Sequence, residues 1–126
     1  MGRRAMAVAL GVATAIAVPS AALARGGAGV RSAGTCSAGV SSTLKAGAQD
    51  AGIEVEFELD QNRNGVAWRV VITRNGARVF SGSRTTHAPS GSFTLRRVIT
   101  NAAGRDTIRV RATGPSGRVC RATVVV

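Results

Sequence analysis

The sequence predicts an all-β fold, a seven-stranded antiparallel sandwich preceded by a signal-peptide helix. Three observations carry this reading. Apolar and polar residues alternate in short runs, most plainly in IEVEFELD at residues 53–60, the pattern of a strand buried on one face. Turn clusters rich in Gly, Asn and Pro separate these runs at intervals of about ten residues. Beyond the N-terminal apolar run, no stretch repeats with a helical period.

The first 24 residues have the three parts of a secretory signal: Met1-Gly2-Arg3-Arg4, an apolar run over residues 5–18, and Ala22-Leu23-Ala24 as the cleavage site. The apolar run is shorter than the roughly 20 residues that a membrane-spanning helix needs. The mature chain is therefore expected to lack an integral membrane segment and to be secreted, by the general or the twin-arginine route. Residues 25–40, rich in Gly, Ala and Ser, read as a flexible leader, and residues 41–126 as one sandwich domain.

Within that domain, residues 42–48 form the first predicted strand, with Leu44 inward. The second, residues 53–60, turns Ile53, Val55, Phe57 and Leu59 to the core and Glu54, Glu56, Glu58 and Asp60 outward. Residues 61–65 are a turn, and the third strand, residues 66–73, buries Trp68, Val70 and Ile72. Asn75-Gly76 is a hairpin signal leading to a fourth strand at residues 77–82. The fifth, residues 92–99, points Phe93 and Leu95 inward, and Arg96-Arg97 breaks its alternation in the manner of a bulge. The sixth, residues 107–113, buries Ile108, Val110 and Ala112, and the seventh, residues 118–126, buries Cys120, Ala122 and Val124. The expected core centres on Phe57, Trp68, Val70, Ile72, Phe93, Leu95, Ile108 and Val110.

Two cysteines in an exported chain are expected to pair, so Cys36 and Cys120 would tie the approach to the first strand to the last strand. With one histidine they do not complete a tetrahedral zinc site unless carboxylates join them, and no metal or cofactor is expected.

Lys and Arg number 17 against six Asp and Glu, a net charge of +11, and every basic residue except Lys45 is arginine. A GC-rich genome produces the same bias, so position carries more information than number. If the third, sixth and seventh strands share a sheet, Arg69, Arg109, Arg111 and Arg121 fall on one outward face with Thr107 and Thr123 between them, and Arg78 extends it. Like charges on neighbouring strands cost stability, and guanidinium forks suit phosphates and carboxylates. The face is read as a docking surface for an anionic polymer: a wall teichoic acid, an anionic lipid surface or extracellular nucleic acid. It lacks the aromatic platforms on which single-stranded nucleic acids stack.

The remaining candidates for chemistry are weaker. TTHAPSGSF, residues 85–93, holds the only histidine, His87, beside Ser90 and Ser92. A hydrolase triad needs a positioned nucleophile and an oxyanion hole, and no G-x-S-x-G context is present, so the stretch reads as a connection between strands. The outward carboxylates of residues 54–60 lie about 6.5–7 Å apart along the strand, a spacing open to an inverting glycosidase pair. They sit on a flat face next to arginines such as Arg96, and they do not converge as a calcium loop does. No catalytic residue is assigned, and the chain is not expected to be an enzyme.

Trp68 in the third strand and Gly104-x-Asp106-x-Ile108-x-Val110-x-Ala112 at the corner and sixth strand resemble an immunoglobulin-like or fibronectin-III-like domain over residues 41–126. Two features depart from that pattern: no tyrosine marks the corner, and the cysteines lie towards the chain ends. The chain also resembles uncharacterised small secreted single-domain proteins of actinobacteria. These resemblances imply a fold and leave the activity open. The expected function is a secreted, monomeric, non-catalytic binding module with an extracellular partner, an anionic polymer or cell-wall component. The alternative is an exported protease inhibitor presenting a loop at residues 85–92 or 114–117.

Overall fold

The computed structural model describes residues 29–101 and 104–126; the expected signal peptide and its helix lie outside the described residues. Nine strands form among the described residues: β1 (Val30–Ala33), β2 (Thr35–Cys36), β3 (Ser41–Gln49), β4 (Gly52–Asp60), β5 (Ala67–Arg74), β6 (Ala77–Thr85), β7 (Ser92–Thr100), β8 (Thr107–Thr113) and β9 (Val119–Val125). They make two antiparallel sheets, β1-β3-β4-β7 and β2-β9-β8-β5-β6. No helix among the described residues is long and apolar enough to cross a membrane.

The count corrects the expected seven strands, because β1 and β2 arise within residues 25–40. Neither strand carries an alternating apolar run; each is an edge addition held by backbone pairing, β1 on β3 and β2 on β9. Pairing of that kind leaves no period in the sequence. Between them the chain steps from one sheet to the other at Gly34, whose N–H donates to the Ser42 carbonyl at 2.9 Å. A Cβ at Gly34 would stand 2.0 Å from Ser42 Oγ and 3.0 Å from the Arg121 carbonyl oxygen, so a larger residue at the crossing would oblige the Ser42 side chain to turn away.

The alternation of the remaining strands builds the core. Leu44, Ile53, Val55, Phe57, Leu59, Phe93 and Leu95 from one sheet meet Trp68, Val70, Ile72, Ile108, Val110 and Ala112 from the other, all buried. Phe57 and Phe93 touch at a ring-centroid distance of 6.3 Å and an interplanar angle of 53°, a tilt that suits the ring quadrupoles. Asn75 and Gly76 turn the β5–β6 hairpin with φ of 52° and 88°. The Asn75 side chain also fastens the start of β8, donating to the buried Asp106 carboxylate and accepting from the Thr107 N–H.

The bulge expected at Arg96-Arg97 is absent. β7 pairs with β4 in unbroken register from Gly52↔Thr100 to Asp60↔Ser92, and the irregularity lies instead between Ile72 and Thr73, where β5 meets β6. Arg97 keeps the parity of Phe93 and Leu95 and so points between the sheets. β7 and β6 are the outermost strands of their sheets on the same side, and there Arg97 reaches solvent while its guanidinium lies 4.9 Å from the centre of the Phe80 ring. An inward charge on an edge strand blocks edge-to-edge association.

Cys36 and Cys120 are bonded, and they are direct cross-strand neighbours of β2 and β9, with Cα atoms 4.1 Å apart. The bond therefore staples an edge strand within one sheet.

At one end of the sandwich the β4–β5 and β6–β7 loops are locked together by Thr86. This buried hydroxyl donates to the Arg63 carbonyl at 2.6 Å and accepts from the Val66 N–H at 2.9 Å. Gly91 completes the contact: at φ +71°, a Cβ there would sit 2.0 Å from the Arg63 nitrogen. Thr86→Val keeps the shape and removes both hydrogen bonds, and is expected to cost about 1–3 kcal/mol. Urea unfolding measures this; an unchanged midpoint would contradict the lock.

Candidate anion-binding face

The outward face of the five-stranded sheet is set by the same alternation that fills the core. Ile108, Val110 and Ala112 face inward, so Thr107, Arg109, Arg111 and Thr113 face outward; on β9, Cys120, Ala122 and Val124 place Arg121 and Thr123 outward in the same way. The register joins these positions into rows. One row runs Thr35, Arg121, Arg111, Val71, Ser81, and the next runs Thr123, Arg109, Thr73, Arg78. A third, through Val119, Thr113 and Ser83, contains Arg69.

Arg69, Arg78, Arg109, Arg111 and Arg121 thus share one face, and all five are exposed. Arg111 and Arg121 are direct cross-strand neighbours, an arrangement of like charges that opposes folding. Arg69 donates to Ser81 Oγ at 2.7 Å. Among the described residues, which include all six acids of the chain, none of the five lies within salt-bridge distance of a carboxylate. The ion pairs that do form join Glu56 of the other sheet to Lys45 at 3.9 Å and to Arg96 at 3.3 Å.

That other sheet carries the comb of Glu54, Glu56, Glu58 and Asp60 on β4. Glu56 lies in a row with Arg31, Lys45 and Arg96, whereas Glu58 lies between Thr43 and Thr94. Within the comb, Glu56 is compensated from both flanks, and no group of three or more His, Cys, Asp or Glu among the described residues is arranged to hold a metal ion. The contrast between the sheets is one of compensation: mixed charge on one, arginine with Thr and Ser hydroxyls on the other.

The hydroxyls on the arginine face include Thr35, Ser81 and Ser83, which the sequence reading did not place there. Thr35 belongs to the unexpected β2, and the serines depend on the β5–β6 register. No aromatic residue lies in these rows; Trp68, Phe57 and Phe93 are buried, and Phe80 lies at the side of the sandwich under Arg84 and Arg97. The chemistry on offer is guanidinium and hydroxyl donation to oxyanions, at spacings of about 4.8 Å across strands and 6.5–7 Å along them.

His87 sits in the β6–β7 loop, exposed, with Nδ1 3.0 Å from the Ala88 carbonyl, and its backbone pairs with Ser92. The Ser90 and Ser92 hydroxyls bond each other at 2.8 Å. Among the described residues no hydrogen bond joins the His87 ring to a serine or a carboxylate. The loops proposed for inhibitor contacts, around residues 85–92 and 114–117, emerge at the same end of the sandwich as the β4–β5 loop.

Comparisons with protein-family models, with curated proteins and with solved structures found no match for this chain.

Proposed function

We propose that this chain is an exported, monomeric, non-catalytic binding module that docks on an extracellular anionic polymer through its arginine face. The observation that carries the reading is the set of five exposed arginines on one sheet with no carboxylate to compensate them. Folding alone is better served by alternating signs on such a face, so an external anion gives the arrangement a use. Export is supported by the signal-like N-terminus and is compatible with the Cys36–Cys120 disulfide, a bond that persists in oxidising compartments.

The immunoglobulin-like or fibronectin-III-like reading belongs with this proposal. Without the edge additions β1 and β2, three strands, β3-β4-β7, face four, β9-β8-β5-β6, and seven strands in two sheets suit that architecture. Sandwiches of this kind serve widely as recognition modules, and here the recognition surface is a sheet face.

A pull-down with the oxidised protein against isolated cell wall, membrane and culture-supernatant fractions tests the reading. Retention by an anionic wall or membrane fraction, released by salt and lost in Arg109→Glu/Arg111→Glu, is the expected result. Retention unchanged in that variant would contradict the proposal.

A further inference from the structure

A hollow lies beyond the arginine rows, at the end of the sandwich where the β4–β5 and β8–β9 loops meet. The hollow has a volume of about 420 Å³ and is lined by Gln61, Arg63, Asn64, Pro115, Ser116 and Arg118, among others. Cavities that hold small ligands occupy roughly 300–1,000 Å³. Neither Arg63 nor Arg118 forms a salt bridge among the described residues.

Gln61 defines the chemistry. The residue is 9% exposed, and its Oε1 accepts from the Trp68 indole N–H at 2.8 Å. An indole nitrogen only donates, so this bond fixes the amide orientation and leaves Nε2 as a donor. Among the described residues Nε2 has no hydrogen-bond partner, which is a costly condition for a buried amide. The hollow therefore brings together an amide whose nitrogen has no partner among the described residues and two guanidinium groups; Gln61 also lines a neighbouring hollow, beside Asp60.

We propose that this hollow binds a small molecule through an oxyanion group, a phosphate monoester or a carboxylate, which accepts hydrogen bonds from Gln61 Nε2 and from the Arg63 and Arg118 guanidiniums. The site is independent of the polymer-docking reading, since none of its residues belongs to the arginine rows.

Trp68 is the only tryptophan, and its hydrogen bond to Gln61 makes it a reporter of occupancy. Titration of the oxidised protein with glycerol 1-phosphate, with malonate and with neutral glycerol would be followed by indole fluorescence and the indole N–H resonance. At least one of the two oxyanions is expected to give a saturable change that glycerol does not, and comparing them tells phosphate from carboxylate. Arg63→Ala/Arg118→Ala is expected to weaken binding at least about tenfold, the loss of a charge-assisted hydrogen bond. Gln61→Glu retains an acceptor for the indole and replaces the donor with a negative charge, so it should weaken binding as much; the buried carboxylate is also expected to lower the unfolding midpoint, so its affinity is read where the variant is folded. Arg109→Glu/Arg111→Glu should leave this affinity within about twofold, so the two sites succeed or fail separately. No saturable response to either oxyanion, an equal response to glycerol, or an affinity unmoved in both site variants would overturn the proposal.

Discussion

Trp68→Ala is expected to lower the unfolding free energy by about 3–5 kcal/mol, the largest effect of any single core truncation. Trp68 is the largest fully buried side chain, and its indole lies so close to Gly114 that a Cβ there would stand 2.8 Å from Cε2. The substitution empties the inner face at the start of β5, and it also strands the Gln61 carbonyl oxygen that the indole N–H satisfies. Trp68→Phe fills part of the space and still loses that bond, so it should fall between alanine and wild type. Denaturant unfolding of both variants provides the check, and an alanine variant within about 1 kcal/mol of wild type would contradict the packing described.

Removing the disulfide is the second large effect. The bond closes a loop with a sequence separation of 84, for which chain entropy gives a stabilisation of about 4–5 kcal/mol. Cys36→Ser/Cys120→Ser is expected to lose most of that amount, read as the difference in guanidinium unfolding between the variant and the oxidised protein. β2 holds only Thr35 and Cys36, so amide exchange at those two residues should rise before exchange in β8. Equal stability of the two forms would contradict a structural role for the bond.

These effects indicate which parts of the structure were legible in the sequence. Period-two alternation is a direct record of one-sided burial, so β4, β5, β8 and β9 could be read with their inward residues. The pairing of Cys36 with Cys120 followed from compartment chemistry. β1 and β2 were not legible, because edge strands held by backbone hydrogen bonds need no apolar period. Arg97 misled for a related reason: at the side of the sandwich an inward position reaches solvent, and an arginine there is compatible with regular pairing.

The two candidate sites differ in the same way. Parity placed Arg69, Arg109, Arg111 and Arg121 outward once their strands shared a sheet, and the strand order β9-β8-β5 brings those strands together. The hollow at Gln61 depends on loops separated by more than forty residues in sequence and on the orientation of one amide. No local pattern in the chain encodes that arrangement; it follows from the Trp68 hydrogen bond and from the meeting of the β4–β5 and β8–β9 loops.

We propose that the arginine face, rather than net charge, binds an anionic polymer. The most direct measurement is the salt dependence of retention on immobilised polyphosphate for three proteins: wild type, Arg109→Glu/Arg111→Glu, and the charge-matched Arg31→Glu/Arg96→Glu on the opposite sheet. Wild type is expected to stay bound at about 0.15 M salt, with log affinity falling steeply against log salt as several phosphate contacts release counterions. The Arg109/Arg111 variant should show a shallower slope and elute earlier, while the charge-matched variant stays close to wild type. Equal losses in the two variants, or elution of wild type well below that salt, would contradict the claim.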